Sequence, residues 1–426
     1  MKVLVVDATH GGVTLSKEFA ARGDEATLVD VHRTLTKEDL NSLSKFFNIQ
    51  RDLPNPADYD LIVKPVHFPI RPFSGFEDRV ISHHHAVKLL VGDMVTFPVA
   101  EITGSFGKTT AIMCAISLLK DRFSVLSLTS NGICLHTPDG TITLLEGVSA
   151  APANIIRAIR MCQSKPDFAI FEVSLGGTGL ADLGIIKNVY DDYPIAKGSS
   201  TALKAKLSMV TDSKPGSTVL VNADDQKTKD LSQCQRFSPS GKCVEVRAEG
   251  IKITRFGVEF EAHFEGFKTK EGLFSGIIRV KTPAGPVGRQ HVENLLVGVT
   301  IASFFRPSEG EYSPGTEIFN KKMVLESTNP PVVLNKSASI GLKSIEASMR
   351  DYLELFAPFR LEIGGKLKTT CGSVDPKEVA SAIISSPFQE VFLYGDFGNF
   401  LAPMLKGKKV VSCSRRTGPS LVLERV

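Results

Sequence analysis

The residues with the clearest chemical signature form the segment Thr103–Thr110, with the sequence Thr-Gly-Ser-Phe-Gly-Lys-Thr-Thr. It lies between an apolar run over Val99–Thr103, which predicts a buried strand, and Thr110–Lys120, which predicts a helix. In such a strand–loop–helix context, glycines let backbone N–H groups close around phosphate oxygens, and the helix dipole favours the anion. The lysine would reach the β- and γ-phosphates of a nucleotide, and the next threonine hydroxyl would bind Mg²⁺. The segment therefore predicts a phosphate site that consists of Gly104, Ser105, Phe106, Gly107, Lys108, Thr109 and Thr110.

A carboxylate, Glu172, is the second chemical signal. It lies near the end of the predicted strand Phe168–Val173, in the sequence Phe-Glu-Val-Ser. Ligands of parallel α/β sheets bind at the carboxyl ends of the strands, and a carboxylate beside a phosphate loop is a natural Mg²⁺ ligand. The alternative is a charged strand end that faces solvent, and it would be preferred for this residue in isolation. The neighbouring phosphate loop favours metal binding.

Three segments in this order, Thr103–Thr110, Phe171–Ser174 and Val219–Asp225, resemble the motifs of the central ATPase domain of the Mur ligase superfamily. The third has the sequence Val-Leu-Val-Asn-Ala-Asp-Asp. The family's phosphate loop lacks the first glycine of the strict P-loop pattern, and this chain has Ile102 at that position. Members are three-domain, ADP-forming ligases that activate a carboxylate as an acyl phosphate. The resemblance implies that the chain uses ATP and two Mg²⁺ ions.

The pair Ala205-Lys206 is similar to the family's Ala-Lys, whose lysine is commonly carbamylated. A lysine amine that adds CO₂ becomes a carboxylate-like ligand for a second Mg²⁺. Lys204 is a competing candidate, and both lysines could instead be solvated on a helix. The catalytic residues implied by the resemblance are Lys108, Glu172 and Lys206, and the implied metal ligands are Thr109, Glu172 and Lys206.

Two further segments resemble nucleotide contacts of the family. Gly288–Asn294 is similar to Gly-x-His-Asn-x-x-Asn, so that Asn294 matches an asparagine that helps hold adenine, and His291 stands in place of another. Pro358–Glu362 is similar to Pro-Gly-Arg-x-Glu. The resemblance implies that its arginine, Arg360, contacts the nucleotide when the third domain closes.

The amino-terminal segment contains six of the nine histidines of the chain. Its opening over Asp7–Gly12 and the run His83–Val87 resemble one branch of the superfamily, the coenzyme F-430 synthetases of methanogenic archaea. This resemblance implies that the substrate is a nickel tetrapyrrole, whose last carbocyclic ring closes after ATP activates a propionate side chain. Three consecutive histidines could equally be a polar helix start. The expected substrate contacts are Thr9, His10, Gly11, Gly12, Lys64, His83 and His84.

The elements that must position these residues alternate between strand and helix, which predicts an α/β fold with parallel sheets. The first segment lacks the Gly-x-Gly-x-x-Gly spacing, so we expect a Rossmann-like sheet that does not bind a dinucleotide. Period-two alternation between Val244 and Val280 predicts a small antiparallel sheet, and the Pro, Ser, Gly and Asn of residues 306–340 predict a linker. The resemblance implies a substrate-binding domain over 1–95, a central ATP-binding domain over 96–325 and a shortened carboxyl-terminal α/β domain over 326–426.

The composition is that of an ordinary globular protein and excludes several classes of function. The 426 residues carry a formal net charge of +4, which is too small to indicate a nucleic-acid surface. Seven scattered cysteines without a Cys-x-x-Cys pair argue against a disulfide framework and favour the cytoplasm. No segment has the length and hydropathy of a membrane span. Two alternatives stay open: a Mur-type amide ligase that joins an amine to a carboxylate, and a P-loop regulator or binding module.

Overall fold

The structure is a computed structural model that describes residues 1–190, 192–337, 340–367, 374–411 and 418–426. These residues form three main sheets with helices packed against them. The predicted α/β class is confirmed. Among the described residues, no helix is long and apolar enough to cross a lipid bilayer.

The first sheet consists of parallel strands in the amino-terminal segment. Its strands are β1 (Lys2–Val6), β2 (Glu25–Val29), β3 (Asn48–Gln50), β4 (Leu61–Lys64) and β5 (Val80–Ser82), and its helices are α1 (Val13–Ala21), α2 (Lys37–Leu43) and α3 (His83–Val91). The strand order is β3-β2-β1-β4-β5. The chain adds β2 and β3 on one side of β1 and then returns to add β4 and β5 on the other side, so the direction of strand addition reverses at β1. Ligands of open α/β sheets bind at such a switch point, beyond the carboxyl ends of the strands. The loops after β1, β2 and β4 meet there.

The central sheet contains the strand that leads into the phosphate loop. Its strands are β6 (Val99–Thr103), β7 (Val125–Thr129), β8 (Gly132–Thr137), β9 (Gly140–Leu145), β10 (Phe168–Glu172), β11 (Leu183–Ile186), β14 (Thr218–Asn222), β15 (Gln235–Ser238), β16 (Val246–Thr254), β17 (Gly257–Thr269), β18 (Gly272–Lys281) and β19 (Gly310–Tyr312), and the hairpin β12 (Pro194–Ile195) and β13 (Ser200–Thr201) lies apart from it. The strand β6 lies between β10 and β11, and these neighbours are parallel to it. The side chains that follow β6, β10 and β11 therefore share one edge of the sheet.

The predicted antiparallel sheet is confirmed, but it continues the central sheet. The strands β16, β17 and β18 pair antiparallel, and β16 joins β15 in the parallel part. The helices of this segment are α4 (Lys108–Leu119), α5 (Ala153–Met161), α6 (Ala202–Lys206), α7 (Ser208–Thr211) and α8 (Gln290–Phe305). Nearly every residue of α8 is buried. A Cβ on Gly298 would collide with Cys114 of α4, so a glycine lets α8 approach α4 closely.

The carboxyl-terminal sheet corrects one sequence prediction. Its strands are β20 (Val324–Thr328), β21 (Pro331–Lys336), β22 (Arg360–Gly365), β23 (Glu390–Tyr394), β24 (Lys409–Val411) and β25 (Ser420–Arg425), and its helices are α9 (Leu342–Leu353), α10 (Pro376–Ser385) and α11 (Gly395–Leu401). The prediction of a linker over 306–340 is wrong, because β19, β20 and β21 lie within it. Asn329 and Pro330 form the turn of the β20–β21 hairpin, and the apolar run that follows them is a buried strand. The apolar run Lys409–Ser412 predicts a strand in this region; β24 covers Lys409–Val411, and residue 412 lies outside the described residues. The three domain boundaries stay predictions.

Four buried histidines predict that the protein loses stability in mild acid. Burial lowers the pKa of His83 to about 3 and the pKa values of His84, His136 and His291 to about 4, from an ordinary value of 6.5. Between pH 6.5 and 4 the unfolded chain binds protons that the folded chain does not, so the free energy of unfolding falls as the pH falls. At pH 5 each histidine should account for about 2 kcal/mol.

His136 is the best probe, because the hydrogen bonds of its ring among the described residues are to the Ser127 and Thr141 hydroxyl groups, at 2.9 and 3.0 Å. In chemical denaturation at pH 7 and pH 5, H136Q should lose about 2 kcal/mol less than the unsubstituted chain. Equal losses in the two proteins would contradict the prediction.

Candidate active site

The predicted phosphate loop connects β6 to α4 and has the backbone that such a loop needs. Gly107, which precedes the first turn of α4, has φ of 80°, in the left-handed region that favours glycine. A Cβ there would collide with the side chain of Asn294. Lys108 donates from Nζ to the carbonyl oxygen of Gly104 over 3.0 Å, so its side chain curls back over the loop. Thr110 is buried in the first turn of α4.

Glu172 lies at the end of β10, beside the start of α4. Its Oε2 accepts hydrogen bonds from Thr109 Oγ1 at 2.8 Å and from the backbone N–H of Ser130 at 3.3 Å. Its Oε1 lies 3.5 Å from Lys108 Nζ. The Thr109 hydroxyl also lies 3.0 Å from Ser130 Oγ. The structure therefore brings together a carboxylate and two hydroxyl groups, which are the hard oxygen ligands that Mg²⁺ prefers.

The side chain of Asn188 shapes the phosphate loop from the end of β11. Its Oδ1 accepts hydrogen bonds from the N–H groups of Ser105 and Phe106 at 2.8 and 3.1 Å, and its Nδ2 donates to the Phe106 carbonyl oxygen at 3.2 Å. Phe106 stacks on Tyr190, with ring centroids 4.7 Å apart. The loop is therefore held on one side by an amide and an aromatic ring from the same neighbouring segment.

A buried carboxylate on α8, Glu293, holds that segment in turn. Its Oε1 lies 2.6 Å from Lys187 Nζ and 2.6 Å from Asn188 Nδ2, and its Oε2 accepts a hydrogen bond from the Tyr190 hydroxyl at 3.0 Å. Burial lowers the pKa of Lys187, and the charge of Glu293 opposes that shift. Burial and the Glu293 charge both raise the pKa of Tyr190. Glu293 is therefore the common partner of all three side chains.

The two predicted adenine contacts on α8 have different surroundings. Asn294 lies next to Gly107, and its buried Oδ1 has no hydrogen-bond partner among the described residues. His291 is fully buried; its Nε2 lies 3.2 Å from the carbonyl oxygen of Met323, and its ring packs edge-on against Phe319. Asn294 is therefore placed beside the phosphate loop, whereas the described contacts of His291 join α8 to the segment before β20.

Burial distinguishes the two candidate lysines of α6. Lys206 is buried and Lys204 is exposed. The Lys206 ammonium lies 5.7 Å from the centre of the Tyr193 ring. Carbamylation of Lys206 stays a prediction.

Arg360 begins β22 in the carboxyl-terminal sheet and is buried. Its Nε lies 3.1 Å from Glu362 Oε1, and its guanidinium lies over the Phe392 ring at 5.0 Å. These contacts are within its own sheet, and its nucleotide contact stays a prediction.

The predicted substrate residues cluster at the carboxyl edge of the first sheet. Thr9, His10, Gly11 and Gly12 form a distorted turn directly after β1. Cβ atoms on Gly11 and Gly12 would collide with Ala153 and with the Asp7 carbonyl oxygen, respectively. These glycines therefore allow a tight turn whose contacts extend to α5.

The other three predicted substrate residues bind backbone carbonyl oxygens. Lys64 Nζ donates to the Phe68 carbonyl oxygen at 2.7 Å, and burial lowers its pKa. The rings of His83 and His84 are both buried. The Nε2 atom of His83 lies 3.0 Å from the Val6 carbonyl oxygen, and the Nε2 atom of His84 lies 2.8 Å from the Ser174 carbonyl oxygen. His84 thereby joins the first sheet to a residue that follows Glu172 by two positions. Substrate contact by these residues stays a prediction.

Comparison with known proteins finds two similar sequences and a shared fold. The chain is 35% identical over 245 residues to the coenzyme F(430) synthetase of Methanosarcina acetivorans, a match that covers 54% of this chain and 52% of the relative. It is 27% identical over 429 residues to the enzyme of that name from Methanocaldococcus jannaschii, covering 96% and 94%. The chain thus spans about half the length of the first relative and nearly all of the second. No protein-family model matches it.

Solved structures identify the fold. The crystal structure of MurF ligase from Thermotoga maritima in complex with ADP superimposes with a TM-score of 0.55 and 12% sequence identity, and covers 94% of this chain and 91% of the other. This chain has the Mur ligase fold. The resemblance to Mur ligases and to coenzyme F-430 synthetases that the sequence predicts is confirmed.

Within the Mur ligase fold, the structure adds residues that the motifs did not identify. Ser130 follows β7 and contacts both Thr109 and Glu172. Lys322 precedes β20, and burial lowers the pKa of its ammonium group. The charge of Glu172 raises that pKa, and the charge of Lys108 lowers it. Glu293 was a motif position without an assigned role. The available signal was an acidic residue just before the apolar-leaning run over residues 295–305, because such a group needs a partner when it is buried.

We expect Glu293 to be required for the stability of the central sheet. E293Q provides an amide oxygen that can still accept the hydrogen bond from Asn188 Nδ2. It leaves the buried Lys187 ammonium without its counter-charge. Breaking a buried ion pair in this way typically lowers the free energy of unfolding by about 3–5 kcal/mol. The matched control is K187M/E293Q, which removes both charges and should recover most of the loss in denaturant unfolding. A double variant that is less stable than E293Q would contradict this account.

Proposed function

We propose that this chain is an ATP-dependent, ADP-forming ligase that activates a substrate carboxylate as an acyl phosphate. The observation that carries the proposal is the group formed by Lys108, Thr109 and Glu172 at the start of α4, within a chain that has the Mur ligase fold. The similar MurF ligase binds ADP. Both sequence relatives are named coenzyme F(430) synthetase, which supports the finer proposal that the substrate is a nickel tetrapyrrole.

The residues beside the phosphate loop fit a nucleotide with a divalent cation. Because Gly107 lacks a Cβ, Asn294 packs directly against the phosphate loop, and its orphaned Oδ1 would accept a hydrogen bond from the adenine amino group. Lys108 would bind the β- and γ-phosphates, and Thr109 and Glu172 would hold Mg²⁺. When bound, Mg²⁺ offsets the repulsion between the incoming carboxylate and the γ-phosphate.

The proposed reaction has two steps. A propionate oxygen of the seco-acid precursor attacks the γ-phosphorus of ATP, and ADP leaves. A carbon nucleophile of the same molecule, after losing a proton, then attacks the acyl carbon, and inorganic phosphate leaves. The new carbon–carbon bond closes the last carbocyclic ring, so the tetrapyrrole loses the elements of one water. An amide ligase would instead require an added amine, and a P-loop regulator would release ADP without an acyl product.

Lys108 provides the direct test. In the presence of ATP, Mg²⁺ and the seco-acid precursor, K108A should release ADP on the order of 10²–10³-fold more slowly, because a cation that stabilises the transferring phosphoryl group is lost. The control K252A removes an exposed lysine on β16 and should be unaffected. Coupled ADP detection and mass spectrometry of the tetrapyrrole give both readouts.

Three other outcomes would contradict parts of this proposal. Retained ADP release in K108A would contradict the phosphate role of the loop. A product that keeps the mass of the precursor, or that forms only with an added amine, would contradict ring closure. Hydrolysis of ATP without any substrate, with no change in the tetrapyrrole, would favour a regulator.

We further propose that Lys206 carries the carbamate. Peptide mass spectrometry under mild, bicarbonate-containing conditions should find the added mass of one CO₂ on Lys206 and none on Lys204. K206A should lose ligase activity, whereas the matched variant K204A should retain it, since its side chain is exposed. The reverse pattern would transfer the role to Lys204.

A further inference from the structure

Three imidazole side chains converge on one carboxylate oxygen, that of Asp7, at the carboxyl edge of the first sheet. Around Asp7 Oδ2, the Nδ1 atom of His10 lies at 2.6 Å, the Nε2 atom of His67 at 3.1 Å and the Nε2 atom of His32 at 3.8 Å. The ligand atoms of Asp7, His10 and His32 all lie within 4.8 Å of one another. The rings of His10 and His67 are in contact, with centroids 4.3 Å apart. We call these four residues the Asp7–histidine cluster.

Adjacent strands bring the Asp7–histidine cluster together. Asp7 and His10 follow β1, His32 follows β2 and His67 follows β4. Since β2, β1 and β4 are neighbours in the sheet, their carboxyl ends open into one crevice. This is the position at which α/β sheets bind ligands. The cluster is therefore built from three separate loops.

The backbone of Asp7 is strained in a way that serves the cluster. Its φ is 77° and its ψ is 100°, a conformation that is unfavourable for a non-glycine residue. Its Oδ1 accepts a hydrogen bond from the Thr9 N–H at 2.8 Å, which leaves Oδ2 directed at the imidazoles. Such strain persists where surrounding structure enforces it, and it is concentrated at functional sites.

The cluster is accessible from one side. The Asp7 side chain is 1% exposed, whereas the side chains of His10, His32 and His67 are 49%, 53% and 29% exposed. The carboxylate thus lies at the floor and the imidazoles form a rim. Solvent and small ions can reach the ring nitrogens without any opening of the fold.

We propose that Asp7, His10, His32 and His67 bind one divalent transition-metal ion. Imidazole nitrogens with a single carboxylate are the ligands that Zn²⁺, Co²⁺ and Ni²⁺ take, at bond lengths of about 2.0–2.2 Å. Mg²⁺ prefers oxygen ligands and would bind the phosphate loop instead. The exposed rings of His10 and His32 can close on an ion by side-chain rotation, with the ion replacing the hydrogen bond between Asp7 and His10.

An ion that accepts more than four ligands, such as Co²⁺ or Ni²⁺, would keep a coordination position open toward the crevice. A carboxylate or another anionic oxygen of a ligand in the crevice would fill that position. A metal held in a macrocycle would fit the Asp7–histidine cluster less well than a free ion. The four ring nitrogens leave such a metal only its axial positions, whereas several protein ligands converge here from one side. The metal site itself does not depend on the proposed ring closure and can be tested without any tetrapyrrole.

The test uses the full chain, freed of metal and nucleotide, and titrates it with Zn²⁺ by calorimetry and with Co²⁺ by absorbance. We expect one equivalent to bind, with Co²⁺ giving the d–d bands of an imidazole-ligated ion. H32Q should weaken binding by at least about tenfold, and H32Q/H67Q should abolish it. The control H85Q removes a histidine that pairs with Asp212 at 3.0 Å, outside the cluster, and should bind as the unsubstituted chain does.

His32 keeps the test independent of folding, because its side chain is half exposed and its substitution should leave the melting temperature of the metal-free protein unchanged. Zn²⁺ should raise the melting temperature of the unsubstituted chain and not of H32Q/H67Q. Absence of stoichiometric binding, equal affinities in the unsubstituted chain and H32Q/H67Q, or displacement of the ion by ADP would each overturn the proposal. In those cases the histidines only surround the Asp7 carboxylate.

Discussion

The edge of the central sheet that carries the candidate active site depends on one buried carboxylate, Glu293. Glu293 accepts contacts from Lys187, Asn188 and Tyr190, and these three residues lie in the segment that follows β11. Asn188 in turn fixes the N–H groups of the phosphate loop. Because a charge in this position is stable only when paired, α8, β11 and the loop after β6 must come together in one arrangement. The apolar packing of α8 against α4 brings that carboxylate to the loop.

The two candidate sites use the same architectural rule with different chemistry. In both, side chains follow adjacent parallel strands and meet beyond their carboxyl ends. The central sheet offers hydroxyl and carboxylate oxygens around a lysine, which suits phosphate and a hard cation. The first sheet offers imidazoles around an aspartate, which suits a softer one. The hydrogen bond from His84 to the Ser174 carbonyl oxygen ties the two edges to each other.

Features of the fold and of the candidate sites could be predicted from the sequence where the residues that form them lie close together along the chain. The phosphate loop is a local pattern, so its strand, its glycines and Lys108 could be predicted, as could Glu172 on a neighbouring strand. The Lys187–Glu293 pair could not, because the two residues lie 106 positions apart and nothing local joins them. The linker predicted over 306–340 was wrong because turn-forming residues of the β20–β21 hairpin outweighed a short apolar run. Scattered histidines gave no signal of convergence, since only the strand order β2-β1-β4 brings His32 and His67 to Asp7.

The bond between His84 and Ser174 also has a consequence for how the chain folds as it is synthesised. All strands of the first sheet and its helix α3 are complete by residue 91, so this unit can begin to fold early. Ser174, the hydrogen-bond partner of His84, is synthesised 90 residues after His84, when β6, α4 and α5 have already emerged. Until then the ring has no native acceptor and can be solvated and protonated. The first sheet therefore acquires its final buried edge only when β10 joins the growing central sheet.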